Sequence, residues 1–241
     1  MALENRETIK SYFRKGQIPK EGHFVDMVDS MVNKIDDGID KNIEDGLRLS
    51  PIGSSPKLIS FFESIEDKSP AWSIEIDKGS SVLTVNNFTG DPVLSLKPDG
   101  KVGINTANPT SELDVKGLVA MEGRIGTFAQ GKIQADGKWY KILENLSGCH
   151  LLEVVAGVGK KQRGKYALIY ARAMSTYGDS KSLIAVDQAY YGVRCNQIQL
   201  KWTGTTYDYN LEMRSRCDYG GDSLISYYIS KLWHDESMED Q

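Results

Sequence analysis

The middle of the chain, residues 51–128, carries its apolar residues only in short alternating runs. Trp72-Ser-Ile-Glu-Ile76, Leu94-Ser-Leu96 and Val102-Gly-Ile104 alternate strictly, which is typical of β-strands with one apolar face. Turn sequences such as Pro98-Asp99-Gly100 and Asn108-Pro109 separate them. Strands this short, with so few large apolar side chains, bury too little surface to be stable alone. The sequence therefore predicts a β-rich segment that is stabilised by association between copies.

The segment before it, residues 1–50, has a helical pattern. Asn5 is placed to cap a first helix that Gly16 ends, and Pro19 opens a second helix that Gly38 ends. The second helix carries apolar residues at a 4-3-4 spacing, and this seam is too short to be stable as an isolated helix. We expect it to face an assembly partner, either the first helix, another copy or a larger particle, through Phe24, Val28, Met31 and Ile35.

The last segment, residues 129–241, has longer and more aromatic strands, and 11 of the 12 tyrosines lie after position 127. Asp136-Gly137 is typical of a hairpin turn between two strands. Further runs follow at hairpin spacing, and several have one apolar and one polar face, as in Gln197–Trp202. These features predict an antiparallel β-sandwich of seven or eight strands. The fold class is thus mainly β, with segments 1–50, 51–128 and 129–241.

Composition and charge narrow the function. A net charge of -4 gives no general attraction to nucleic acid, and no apolar run is long enough to insert in a membrane. The first ten residues do not resemble a secretory signal peptide. Cys149, Cys195 and Cys217 have no metal-ligand spacing, so buried thiols are expected, with one disulfide and one free thiol as the alternative. The histidines lie in different segments, and neither a metal nor a cofactor is predicted.

The stretch Asp99-Gly-Lys-Val-Gly-Ile-Asn-Thr-Ala-Asn-Pro-Thr-Ser-Glu-Leu-Asp-Val-Lys-Gly117 resembles the shaft repeat of phage tail fibres and related adhesins, with Asn105 where that family usually has Gly. Residues 135–143, 188–192, 200–204, 209–211 and 229–233 resemble the terminal domain of fibre or adhesin proteins of phage tails and contractile injection systems. Residues 18–38 are similar to the opening segment of such proteins.

The resemblance implies a homotrimer whose N-terminal segment docks on a baseplate or virion protein and whose distal head contacts a target cell. Such a protein is cytoplasmic during assembly and is then part of a virion or an extracellular injection particle. In a trimeric shaft, each chain presents apolar side chains to a shared axis. We expect these to be Trp72, Ile74, Ile76, Leu94, Leu96, Val102, Ile104, Leu113 and Val115.

Aromatic residues beside turns and a basic run are the candidate receptor-binding residues of the head. Aromatic rings at flexible turns are suited to stacking on sugar rings or to protein contacts, although such rings also fill sandwich cores. Four cations within six residues are typical of a solvated hairpin tip, and contact with an acidic surface glycan or a lipopolysaccharide phosphate is the functional alternative. The candidates are Tyr190, Tyr191, Tyr207, Tyr209, Tyr219, Lys160, Lys161 and Arg163.

These features together predict a non-enzymatic tail fibre or adhesin that binds a glycan or protein receptor multivalently. A structural decoration or connector without a receptor is the alternative. A glycan depolymerase is a third hypothesis, and it requires two carboxyl groups about 5 to 9.5 Å apart in one groove.

Overall fold

The computed structural model describes residues 4–33, 36–64, 66–178, 181–234 and 237–238. The chain forms two compact units, residues 1–120 and 121–241. Both consist mainly of β-strands, and the helices that the structure describes near the N-terminus are short. The prediction of a mainly β chain with a short helical start is confirmed.

The first unit begins with two helices, α1 (Arg6–Tyr12) and α2 (Glu21–Asp29). Asn5 caps α1 as predicted, because its Oδ1 accepts the N–H groups of Glu7 and Thr8, each at 3.0 Å. The helices contact each other through the stacked rings of Tyr12 and His23, whose centroids are 4.0 Å apart.

Helix α2 ends earlier than the apolar spacing predicts. Ser30 caps it, and Met31 lies beyond its last turn. Just downstream, the backbone N–H of Asn33 donates to Asp37 Oδ2 at 2.6 Å, so side-chain contacts replace helical hydrogen bonds. The expectation of one helix from Phe24 to Ile35 is therefore wrong at Met31, and Ile35 itself lies outside the described residues.

Residues 39–49, which belong to the predicted helical segment 1–50, form a hairpin. Strands β1 (Ile39–Asn42) and β2 (Gly46–Leu49) pair antiparallel. The turn between them is fixed by Asn42 Oδ1, which accepts the Asp45 N–H at 2.6 Å, and by Gly46 at a φ of 71°.

Six short strands form one sheet in the rest of this unit. They are β3 (Lys57–Phe61), β4 (Trp72–Ile76), β5 (Leu83–Asn86), β6 (Pro92–Leu96), β7 (Val102–Ile104) and β8 (Leu113–Val115), paired in chain order. All pairs are antiparallel except the parallel pair of β7 and β8. Strands β4 and β7 have the predicted bounds, whereas β3 and β5 were not predicted.

The polar face of this sheet is the covered one. Ser73 and Ser95 are buried, and the Ser95 hydroxyl donates to the backbone oxygen of Thr106 at 2.6 Å. Gly103 lies against both of these groups, and a Cβ at this position would collide with them. The loop after β7 therefore closes over the small polar residues and leaves the apolar side of the sheet open.

The second unit consists of two antiparallel sheets around one hydrophobic core. Its strands are β9 (Ala129–Gln134), β10 (Tyr140–Leu146), β11 (Cys149–Gly159), β12 (Tyr166–Thr176), β13 (Leu183–Tyr191), β14 (Ile198–Gly204), β15 (Tyr209–Ser215) and β16 (Leu224–Lys231). The larger sheet has the order β13-β12-β11-β16-β9, and the smaller has the order β10-β15-β14. Core residues such as Leu152, Ile169 and Met213 come from both sheets.

Two sequence expectations for this unit are corrected. The Asp136-Gly137 turn does not join a hairpin, because β9 pairs with β16 and β10 pairs with β15 in the other sheet. The expectation that all three cysteines are buried thiols is also wrong. Cys195 and Cys217 form a disulfide with their Cα atoms 5.4 Å apart, and Cys149 is the free thiol.

Candidate functional site

The exposed candidate residues of the head lie at two opposite ends of the second unit. Strands β11 and β12 each have eleven residues, so the two ends are about 33 Å apart along the strands. Lys160, Lys161 and Arg163 lie in the turn between β11 and β12, next to the end of β13 with Tyr190 and Tyr191. Tyr207 lies at the other end, between β14 and β15. One compact site cannot include both groups.

The first of these ends is built from three neighbouring segments, residues 159–166, 191–197 and 216–223, and we call it the basic end. The Nζ of Lys165 donates to the backbone oxygen of Asp218 at 3.2 Å, which joins the first segment to the third. The rings of Tyr166 and Tyr191 meet edge to face at 6.1 Å, which joins the first to the second. The Cys195–Cys217 disulfide joins the second to the third.

Hydrogen bonds hold the middle segment in place. The amide Nδ2 of Asn196 donates to the backbone oxygen of Tyr191 at 2.6 Å. The hydroxyl of Tyr219 donates to the backbone oxygen of Asn196. Because Asn196 is buried, these bonds fix the turn that follows β13.

The basic end concentrates positive charge. Its three segments contain six basic residues and two acidic residues, Asp218 and Asp222, whereas the whole chain has a net charge of -4. Within the described part of the second unit, ion pairs involve Arg124, Lys138 and Lys201, which all lie outside these segments. The six basic residues are Lys160, Lys161, Arg163, Lys165, Arg194 and Arg216.

Tyr209 and Tyr219 do not lie on the surface, which corrects the expectation that they bind a receptor. Only 1% of Tyr209 and 6% of Tyr219 is exposed. The Tyr209 hydroxyl donates to the backbone oxygen of Gly148 at 2.9 Å, and Tyr219 bonds to Asn196 as described above. Burial raises the pKa of each phenol to about 12. Both residues are core residues with a satisfied hydroxyl.

The opposite end carries one exposed candidate next to a cavity. Tyr207 is 71% exposed, and its ring contacts Tyr177 edge to face at 5.7 Å. The cavity has a volume of about 390 Å³ and is lined mainly by small residues, together with the rings of Trp202 and Tyr209. Trp202 is a partly buried neighbour of the core, which agrees with the alternative that strand aromatics fill the sandwich.

The predicted inner-face residues of the shaft all lie on one side of the six-stranded sheet. The strand register aligns Ile74, Leu94, Ile104 and Val115 in one row across β4, β6, β7 and β8. Ile76, Leu96, Val102 and Leu113 form the next row, and Trp72 shares their face on β4. Ile59 and Phe61 of β3 and Leu83 and Val85 of β5 belong to the same face and were missed by the sequence analysis.

The predicted assembly-facing residues are accessible where the structure describes them. Phe24 and Val28 lie on α2 and are exposed, and Met31 is exposed after the end of the helix. Phe24 also contacts Phe13, the C-cap residue of α1, with ring centroids 5.7 Å apart. The two helices thus pack on each other and still leave apolar side chains open to a partner.

The described residues offer neither a metal-binding cluster nor a membrane-spanning helix. Within the described ranges, no cluster of three or more His, Cys, Asp or Glu residues could hold a metal ion. None of the helices in that part of the chain is long and apolar enough to cross a bilayer.

The chain has weak structural similarity to known proteins. No protein-family model and no curated protein sequence matches the chain. Among solved structures, the chain is similar to the crystal structure of the Acinetobacter phage vB_ApiP_P1 tailspike protein, with 9% sequence identity and a TM-score of 0.30. The similarity covers 54% of this chain and 26% of the tailspike, so the chain spans about a quarter of that protein's length. A similarity at this level carries no argument about function.

Proposed function

We propose that the chain is the subunit of a homotrimeric fibre or adhesin of a phage tail or contractile injection system. In this proposal the first unit associates with two other copies, and the second unit is the head that contacts the target cell. The resemblance of residues 99–117 to a fibre shaft repeat supports the class of protein. The open apolar face of the six-stranded sheet supports the association.

That apolar face is the observation that carries the proposal. Among the described residues, every buried hydrophobic side chain lies between Ala135 and Ile229, in the second unit. The thirteen apolar residues on one face of the six-stranded sheet are all half-buried or exposed, and Leu113 is 62% exposed. Association that buried these thirteen side chains completely would stabilise the folded chain by roughly 10 kcal/mol, at slightly under 1 kcal/mol per side chain. That gain is comparable to the whole stability of a typical domain.

The second unit has an open apolar face of its own. The outer side of its larger sheet carries Val155, Leu168, Tyr170 and Tyr228, all of them exposed. The outer side of the smaller sheet is polar, with the Lys201–Glu212 ion pair at 3.0 Å. This asymmetry favours packing of the larger sheet against a neighbouring head and exposure of the smaller sheet to solvent.

The N-terminal helices supply the attachment to the particle in this proposal. Phe24 and Val28 present apolar groups beside polar residues of α2, which suits docking on a baseplate or virion protein. Three heads carried by one fibre would allow multivalent binding. Three weak sites on one stem raise the avidity by orders of magnitude without new contacts.

The oligomer is tested with two matched leucines of the full chain. Leu113 lies on the apolar face of the sheet, and Leu118 is a fully exposed leucine outside it. We expect Leu113→Asp to lower the mass measured by light scattering from a trimer to a monomer, because the charge would be buried at the interface. Leu118→Asp should leave the trimer intact. A folded wild-type monomer would refute the proposal.

The role of the head is tested by competition. An excess of the purified chain should reduce attachment of the particle to its target cells, because it occupies the same receptors. A decoration or connector protein would not compete. We propose binding without turnover, and release of sugar from target-cell polysaccharide by the purified trimer would replace this proposal with a depolymerase.

A further inference from the structure

We infer that the basic end binds the phosphate or carboxylate groups of an anionic glycan on the target cell. This inference rests on the proposed function and names the chemical class of its receptor. It uses three properties of the basic end, namely its charge, its rigidity and its exposed aromatic ring.

The basic end carries positive charge that is available to bind a ligand. Lys161, Arg163, Arg194 and Arg216 are exposed, and no carboxylate of the described residues lies within ion-pairing distance of them. Side chains of Lys and Arg form short, charge-assisted hydrogen bonds to phosphate and carboxylate oxygens. An acidic chain that collects six cations at one end of one unit therefore presents a local field that attracts anions.

The segments that carry these cations are cross-linked. Arg194 precedes Cys195, and Arg216 precedes Cys217, so the disulfide holds the two arginine-bearing segments together. Lys165 ties the lysine-rich turn to the backbone of Asp218. Groups that are fixed before binding lose less conformational entropy when the ligand arrives.

The exposed aromatic ring at the basic end favours a sugar over a simple anion as the ligand. Tyr191 is 65% exposed, and its ring is supported at an edge by Tyr166. A tyrosine offers a flat apolar face with a polar rim at a small entropy cost, which suits the face of a sugar ring. Gly192, next to this ring, has a φ of 89°, and a Cβ there would lie 3.1 Å from Asn196 Nδ2, so the turn that follows Tyr191 is closely packed.

The test uses the full chain and four immobilised probes. They are phosphorylated lipopolysaccharide, the same lipopolysaccharide after dephosphorylation, polygalacturonate as a carboxylate polymer, and neutral dextran. We expect binding to at least one anionic probe and none to dextran, with affinity that falls as salt is raised. Binding lost on dephosphorylation identifies phosphate, and binding to polygalacturonate identifies carboxylate.

A charge-reversal pair locates the site. Lys161→Glu with Arg163→Glu should lower the affinity roughly tenfold or more, because charge-assisted hydrogen bonds to the anion are lost. Lys132→Glu with Lys141→Glu is the matched control, since both lysines are exposed on strands of the same unit and the change in net charge is identical. The control pair should leave the affinity within about twofold of the wild type, because its lysines lie outside the basic end.

Several results would overturn the inference. They are equal binding to dextran, equal losses for the two variant pairs, and tighter binding to single-stranded DNA than to any glycan. Light scattering and competition for cell attachment are measured on the same preparations. A trimer that competes for cells but binds no anionic probe would refute the anionic receptor and leave the proposed function standing.

Discussion

Removal of the Cys195–Cys217 disulfide should destabilise the second unit by about 3 kcal/mol. The cross-link closes a loop with a sequence separation of 22 residues, and a loop of that length restricts the unfolded chain by about that free energy. For a unit of roughly 120 residues, 1 kcal/mol corresponds to about 4 °C, so the melting temperature should fall by about 12 °C.

The perturbation is the double variant Cys195→Ser with Cys217→Ser, and Cys149→Ser is the matched control. Unfolding is followed by hydrogen exchange in increasing denaturant, on peptides from β11 and β12, because these strands report on the core of the second unit alone. Cys149 is the free thiol, so its replacement should leave the unfolding midpoint of these peptides almost unchanged.

A count of reactive thiols tests independently whether the disulfide is present. The unfolded wild-type chain, prepared without reductant, should react at one thiol, and after reduction it should react at three. Three reactive thiols before reduction, or equal unfolding midpoints for the double variant and the wild type, would refute the role assigned to the disulfide.

Three further predictions follow from burial. Maleimide labelling is compared for Leu168→Cys and Tyr207→Cys, each in a variant without the free cysteine. If the larger sheet packs against another copy, Leu168→Cys should be labelled at least tenfold more slowly. Equal rates are expected for an open face, since the two native side chains are 66% and 71% exposed in the single chain. Stability of the second unit should fall as the pH rises from 10 to about 12, because the folded pKa of Tyr209 and of Tyr219 is raised to about 12 and the unfolded chain loses these protons first. Each phenol contributes on the order of 2 to 3 kcal/mol, and substitution by Phe should flatten the dependence seen in denaturant titrations. Gly103→Ala should lower the melting temperature of the first unit by several degrees in calorimetry, because its Cβ would collide with backbone that cannot move away.

The short strands of the first unit were predictable because their signals are local. Alternation gives the bounds of β4 and β7, and it places Ile74 and Leu94 on one face before any pairing is known. The pairing register of the strands then aligns these apolar residues in rows across the sheet. Strand β5 was not predicted, although Leu83-Thr-Val85 alternates in the same way as the shorter strand β7.

The basic end was only partly predictable because sequence-distant segments form it. The lysine-rich turn is visible in the sequence, but Arg194 and Arg216 join it through a disulfide whose pairing three cysteines leave open. A basic residue directly before each of two cysteines was the available signal. Tyr219 shows the opposite error: its glycine neighbours indicate an exposed loop, whereas its hydroxyl bonds to Asn196, 23 residues away.

The two units differ in how far they bury their apolar side chains within one chain. In the proposed function this difference links assembly to binding. The second unit has its own core, so the basic end is built within a single chain. The first unit leaves its apolar face open, and in the proposed trimer neighbouring copies would cover that face and stabilise the unit. A dissociated chain would therefore keep one weak binding end and lose the folded stem that places it beside two others. Because avidity depends on that placement, dissociated chains would compete poorly with assembled fibres for the same cell surface.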